Sequence, residues 1–148
     1  MSRRVALAIV SAGIFVLAAG SLASGTEWLS AIPLQAVPIP AGNLVAAVLY
    51  ISLAALTVFV TLSGTVARAI AWLLLAAAVL WLPVSIWLAG NVNLNFTASG
   101  WRSELWMYYT VMALPGGCLL LLLWELIRRA MPRSKRPVAE PDAATKGR

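Results

Sequence analysis

The charged side chains at the end of the last hydrophobic segment are the first candidates for chemistry. Glu125 precedes Arg128 and Arg129 by three and four residues, a spacing that puts the carboxylate beside both guanidinium groups on one helical face. An ionisable group inside a membrane usually indicates proton transfer or ion transport. Glu125 lies close to the end of its segment, however, so an interfacial ion pair explains it adequately. We therefore predict that Glu125 forms a structural ion pair with Arg128 or Arg129.

Three more charges lie far from this group along the sequence. Glu27, Arg102 and Glu104 are separated from the other charges by long uncharged stretches. They are either solvated loop ends or part of a small polar patch for an extracytoplasmic partner. The aromatic rings of Trp28 and Trp101 lie next to them in the sequence and belong to the same candidate surface.

A proline and two glycines interrupt the last hydrophobic segment. Pro115 removes one backbone donor and frees the carbonyl of Val111, while Gly116 and Gly117 allow another helix to approach closely. Ala113 and Gly117 have the four-residue spacing of small residues that is typical of close helix contacts. This pattern predicts a packing seam. The seam is either internal to the chain or a docking face for a larger subunit.

The remaining residue types exclude most catalytic classes. The sequence has no histidine and one cysteine, Cys118, so bis-histidine haem sites, histidine proton relays, most zinc sites and intrachain disulfides are ruled out. Cys118 is predicted to be a small apolar filler. Asn95-Phe96-Thr97 matches a glycosylation acceptor, a pattern that often arises by chance. No phosphate loop, carboxylate pair or nucleophile triad is present, so we predict no enzyme activity and no cofactor.

The amino-acid composition indicates whether the chain is surrounded by water or by membrane lipid. Of its 148 residues, 61% are hydrophobic and 11% are charged, and the mean hydropathy is +0.89. A soluble domain has about 25% charged residues. Four uncharged stretches of 22, 40, 33 and 20 residues lie between Arg4 and Glu125, and a membrane-spanning helix needs about 20 apolar residues. The sequence therefore predicts an all-α, polytopic integral membrane protein with four transmembrane helices.

Prolines, glycines and charges set the predicted boundaries. Residues 1–130 form the transmembrane domain, with helices over residues 5–23, 44–62, 66–88 and 105–129. Residues 131–148 form a basic tail that is predicted to be disordered. The first segment has an alternative interpretation as a cleaved signal peptide, because two arginines precede it and small residues follow it.

Within the bundle, Trp72 and Trp81 are predicted to face inwards. Interhelical hydrogen bonds are predicted for Ser11, Ser52, Thr57, Thr61, Ser85 and Thr110.

Positive charge predicts the orientation. Ten of the 11 lysine and arginine residues fall on one side of the predicted membrane, and only Arg102 falls on the other. Both termini are therefore predicted to be cytoplasmic, and the composition is typical of a bacterial inner membrane protein. The basic residues are suited to anionic membrane lipids. They do not indicate nucleic acid, because no folded basic surface with aromatic stacking groups accompanies them.

The last predicted helix carries a family resemblance. The aromatic-rich run from Trp101 to Tyr109, followed by Leu114-Pro115-Gly116, a leucine run and Arg128-Arg129, resembles the last helix of the small membrane subunit of tripartite ATP-independent periplasmic (TRAP) transporters. That family also has four helices and cytoplasmic termini. The charged residues typical of its second helix have no counterpart in residues 44–62. The resemblance implies a subunit that scaffolds a large transporting subunit and helps to receive a periplasmic binding protein.

The sequence thus favours a non-catalytic accessory subunit of a larger inner-membrane complex. Its expected partners are a larger integral membrane subunit, membrane lipids and an extracytoplasmic protein at the outer loops. One alternative is a small transporter or channel that forms its pathway by oligomerising. Another is an accessory subunit of a respiratory or photosynthetic complex.

Overall fold

The computed structural model describes residues 2–33, 38–61, 64–96 and 100–131. Within these ranges the chain is helical and contains no strand, which confirms the predicted all-α class. Three helices are long and apolar enough to cross a membrane, and a bent pair of shorter helices brings the number to four if the pair is one span. Of the predicted basic tail, only Met131 lies among the described residues.

The first two long helices are close to their predicted positions. Helix α1 covers Arg3–Ser24 and helix α2 covers Ala41–Val60, so they are about 33 and 30 Å long at 1.5 Å per residue. Each is sufficient for the hydrocarbon core of a bilayer. A short 3-10 helix, Glu27–Ser30, lies between them and packs against α2. Helix α2 begins three residues earlier than expected.

The third predicted helix, residues 66–88, is broken in the structure. Helix α3 covers Thr65–Val79, helix α4 covers Trp81–Ala89, and their axes differ by 52°. Pro83 explains the break, because its ring nitrogen cannot donate a hydrogen bond and its ring clashes with a continuous helix. Pro83 is tolerated in the first turn of a new helix, where the backbone N–H groups have no intrahelical partner. Gly90 ends α4 with a positive φ of 73°.

The last helix is longer than predicted and changes its winding midway. Helix α5 covers Trp101–Met107, a π-helical segment covers Tyr108–Ala113, and helix α6 covers Leu114–Ala130. The N–H of Leu114 donates to the carbonyl of Tyr109, five residues earlier. Pro115, one residue later, has no N–H to donate to a backbone carbonyl of the preceding turn. The wider π turn immediately before Pro115 is the local response to this missing donor.

Helix α2 is at the centre of the bundle and packs against α1, α3, α4 and α6. Leu7 of α1 lines the same cavity as Val58 of α2, so α1 and α2 are antiparallel. Arg129 near the end of α6 contacts Val60 at the end of α2, so α6 runs parallel to α2. Helix α3 packs against α2, and Arg68 near its start lines a cavity with Val58 and Phe59 near the end of α2, so these helices are antiparallel and the bundle is up-and-down.

The core lies where α2, the broken helix and α6 meet. Leu53 and Ala54 of α2 pack there with Ala78, Trp81, Leu114 and Cys118. The ring of Trp81 is 5.0 Å from that of Tyr50 between centroids, and Trp81 is almost completely buried, as predicted. The same prediction for Trp72 is wrong, because 59% of this residue is exposed. Trp72 lies on the side of α3 that faces away from the core.

Two side chains connect the break between α3 and α4 to the π-helical segment. The indole N–H of Trp81 donates to the hydroxyl of Thr110 at 3.0 Å, and this bond is buried. The phenol of Tyr109 donates to the carbonyl of Ala77. Ala77 is in the last turn of α3, where carbonyls lack intrahelical partners. Two side-chain hydrogen bonds therefore join the two irregular segments, and one of them satisfies a backbone carbonyl at the end of α3.

We expect Tyr109→Phe to destabilise the bundle, because the Ala77 carbonyl would lose a donor that lipid cannot replace. The expected loss is about 0.6 to 1.7 kcal/mol in the free energy of unfolding, measured by denaturation in mixed detergent micelles. Tyr108→Phe is the matched control, since the neighbouring Tyr108 is 62% exposed, and its effect should stay within about 0.5 kcal/mol. Equal losses for the two variants would contradict the assignment.

Candidate functional site

The Glu125 carboxylate is held at the end of the bundle where α2 and α6 finish. Glu125 is 3% exposed, and its Oε1 lies 3.4 Å from the Nε of Arg129. The Nη2 of Arg129 also donates to the carbonyl of Val60 at 2.7 Å. Val60 is the last residue of α2, where helix carbonyls lack intrahelical partners and the helix dipole is negative. Arg129 thus joins α6 to the end of α2.

This arrangement is suited to fastening helices. The carboxylate accepts from a guanidinium that is itself committed to a backbone carbonyl, and half of the Arg129 side chain is exposed. Of the two predicted pairings, the structure contains the ion pair between Glu125 and Arg129. Among the described residues, no group of three or more metal-ligating side chains lies together.

The candidate residues at the opposite end of the bundle form a cation–π cluster. The guanidinium of Arg102 lies 5.6 Å from the ring centroids of both Trp87 and Trp101. Trp87 is near the end of α4 and Trp101 begins α5, so Arg102 joins these helices across the intervening loop. Such contacts contribute about 0.5 to 1 kcal/mol each at exposed positions. Trp87 is a partner that the sequence analysis did not identify, because nothing in the spacing links it to Arg102.

Two neighbouring contacts close this end of the bundle. The side-chain amide of Asn43 donates to the carbonyl of Val92 at 2.7 Å, joining α2 to the loop after α4. A Cβ at Gly42 would lie 3.2 Å from the carbonyl oxygen of Leu29, so the 3-10 helix rests closely on the first turn of α2. Trp28 in that 3-10 helix is 49% exposed.

The loop that holds the predicted glycosylation acceptor is organised by an asparagine. The side chain of Asn91 accepts from the N–H of Asn95 at 3.0 Å and donates to the Asn95 carbonyl at 2.7 Å. Thr97, the last residue of the acceptor pattern, lies outside the described residues. The modification of Asn95 stays a prediction.

Gly116 and Gly117 face in different directions. A Cβ at Gly117 would lie 2.9 Å from Cδ2 of Leu74, whereas a Cβ at Gly116 would meet no atom within 4 Å. Gly117 therefore belongs to an internal contact between α6 and α3, and Gly116 lies on the open side of α6. Cys118 is buried in the core beside Thr57. Ala113 and Pro115 lie at the junction between the π-helical segment and α6.

An apolar groove of about 740 Å³ runs along one side of the last helix, over α5 and the π-helical segment. Gly116 follows four residues after Met112, the last residue that lines it. We call this surface the aromatic groove. It is lined by Trp101, Glu104, Leu105, Met107, Tyr108, Val111 and Met112. Two of the predicted partner residues, Trp101 and Glu104, are therefore part of one continuous surface with residues that the sequence analysis did not single out.

The hydroxyl residues of the helices are buried, but they form few links between helices. All six predicted residues are buried. Thr57 donates to the carbonyl of Leu53 and Ser52 to that of Leu49, both within α2. Among the described residues, Thr110 hydrogen-bonds to Trp81 of α4 and Thr57 to the Cys118 thiol of α6, whereas the hydroxyls of Thr61 and Ser85 have no partner.

No protein-family model matches the chain, and comparison with curated proteins and with solved structures finds no match. The resemblance of the last helix to that of TRAP small subunits stays a prediction.

We expect Arg129→Gln to destabilise the bundle, because the buried Glu125 would lose its cation and the Val60 carbonyl its donor. Since half of the Arg129 side chain is exposed, we expect about 1 to 2 kcal/mol, less than for a fully buried pair. Arg128→Gln is the matched control and should change stability by about 0.5 kcal/mol or less. Thermal unfolding in one detergent tests both variants, and an equal effect would refute the specific role of Arg129.

Proposed function

We propose that this protein is a non-catalytic accessory subunit of a larger membrane complex, namely the small membrane subunit of a multi-component transporter in a bacterial inner membrane. The observation that carries the proposal is the aromatic groove, followed about one helical turn later by Gly116, whose Cβ position is open. Together they give one side of the last helix a shape into which another transmembrane helix fits.

The residue types of this surface differ from those of a purely lipid-facing helix. The exposed side chains of α1 are aliphatic, as in Ile9, Val16 and Leu17. The aromatic groove presents tryptophan, tyrosine and methionine instead, which are enriched in the buried parts of protein interfaces. Lipid tails are as apolar as leucine, so helices associate in a membrane through close packing. A groove followed by an open glycine on the same helix supplies such packing.

The placement of charge also supports an accessory role. Among the described residues, charged side chains lie near the two ends of the bundle, and Glu125 is bonded to Arg129. The centre is filled by Leu53, Trp81 and Leu114. A protein that conducts ions or solutes alone needs polar groups along its pathway. A larger partner would supply those groups in the proposed complex.

The proposed orientation follows from the arginines. Arg3, Arg4 and Arg68 lie together at the end of the bundle where Arg129 meets Val60. We place this end and both termini in the cytoplasm. The end with Trp28, Arg102 and Glu104 would then face the periplasm, where an extracytoplasmic partner can reach it.

A photo-reactive residue tests the proposed docking face directly. Placed at Met112 in the aromatic groove, it should crosslink in cells to one multi-helix membrane protein. At Leu17 of α1, which is 73% exposed, it should not. Crosslinks only to lipid or to a second copy would contradict the proposed larger partner. Solute or ion flux through liposomes that contain this chain alone would favour a stand-alone transporter.

We expect Gly116→Leu to reduce recovery of that partner at least tenfold, because the new side chain fills the space that the partner helix needs. The variant should keep its own stability, since a Cβ at Gly116 meets no atom of the chain. Gly13→Leu in α1 is the matched control, because a Cβ at Gly13 also meets no atom within 4 Å. Quantified co-purification of the partner in a mild detergent checks both variants. Undiminished recovery of the partner with Gly116→Leu would refute the proposed docking face.

A further inference from the structure

A second surface, at the basic end of the bundle, has no part in the proposed docking. The start of α1, the end of α2 and the start of α3 enclose a cavity of about 250 Å³. Three arginines, Arg3, Arg4 and Arg68, line it together with four apolar residues. We call it the arginine cavity. Its apolar walls are formed by Leu7, Val58, Phe59 and Trp72.

Among the described residues, no carboxylate pairs with the arginines of this cavity, and Glu125, the described carboxylate at this end, is bonded to Arg129. Arg68 donates from its Nε to the carbonyl of Gly64 at 3.3 Å. Three guanidinium groups that share one cavity repel one another, so a bound anion would stabilise this arrangement.

Helix polarity increases the excess of positive charge. Arg3 and Arg4 begin α1, Arg68 is in the first turn of α3, and neither first turn contains an acidic residue. The N-terminus of a helix carries a partial positive charge, which favours anions and disfavours arginine. The first turn of α3 also has no side chain capping its N–H groups. The N-terminal ends of α1 and α3 and the three arginine side chains thus all favour the binding of negative charge in the arginine cavity.

We propose that the arginine cavity binds the phosphate group of an anionic phospholipid. The arginines would contact the phosphate oxygens, and the acyl chains would leave along Leu7 and the exposed ring of Trp72. A soluble phosphate compound would use only the charged part of the cavity. The apolar walls, at the end of three helices of membrane-spanning character, match a molecule that is charged at one end and apolar at the other. Basic pockets between transmembrane helices are known to suit such headgroups.

Native mass spectrometry of the full chain in detergent tests the proposal, with phosphatidylglycerol titrated against zwitterionic phosphatidylcholine. We expect one tightly bound phosphatidylglycerol and at least tenfold weaker binding of phosphatidylcholine. Arg68→Gln should weaken phosphatidylglycerol binding about fivefold, and the triple Arg3→Gln, Arg4→Gln, Arg68→Gln variant on the order of a hundredfold. Arg128→Gln is the matched control at the same end and should change binding less than twofold.

Three outcomes would overturn the proposal. The first is equal binding of the two lipids. The second is an equal effect of Arg68→Gln and Arg128→Gln, which would mean that the basic end attracts anionic lipid without a defined site. The third is displacement of phosphatidylglycerol by millimolar glycerol phosphate, which would identify a soluble anion as the ligand.

If the triple variant fails to fold, phosphatidylglycerol with brominated acyl chains provides a second measurement on the native chain. Bromine near Trp72 should quench part of the tryptophan fluorescence, and the quenched part should be lost in Trp72→Phe. Trp124→Phe is the control, because Trp124 is also about 60% exposed and lies outside the cavity. Quenching that survives in Trp72→Phe would contradict the site.

Discussion

A backbone carbonyl or N–H in the hydrocarbon of a membrane finds no water, and each unsatisfied group costs several kcal/mol. Straight helices meet this constraint by themselves, but Pro83 and Pro115 each deprive a helix of a donor. The structure brings the two affected regions together. Tyr109 and Thr110 lie in the π-helical segment before Pro115, and they bond to residues at the α3–α4 break. The π-helical segment thus supplies a donor to the last turn of α3 and an acceptor to the indole of Trp81.

This pairing also determines the form of the rest of the bundle. Because Trp81 must reach Thr110, the break is held against α6, and α2 fills the space between them with Leu53 and Ala54. Helix α1 packs on the far side of α2 and contributes little to the core. The ends are then fastened by charge, with Arg129 on the α2 carboxyl end and Arg102 between two tryptophans. Polar contacts act at the ends and at the two prolines, and apolar packing acts elsewhere.

The class of this fold could be predicted from the sequence, because long uncharged stretches have few other uses. The burial of six hydroxyl residues was equally accessible, since a polar group avoids lipid. The break at Leu80 was missed although Pro83 signalled it, because a proline near the end of a predicted helix is also compatible with a straight one. The sequence could not predict that Gly116 and Gly117 face in different directions, because a helix with apolar residues on all sides does not reveal which side meets its neighbour. For the same reason, the prediction that Trp72 faces into the bundle was wrong.

The aromatic groove and the arginine cavity share no residue, and they involve different helices. A partner seated on α5 and α6 would leave α1 and the start of α3 facing lipid. A phospholipid held at that second surface would bring its acyl chains against α1, a helix that packs on α2. Because apolar burial gives no net attraction inside a bilayer, α1 gains little from its aliphatic face alone. A lipid anchored by three arginines would hold α1 to α3 without any new protein contact, while the opposite side of the bundle remains available for docking.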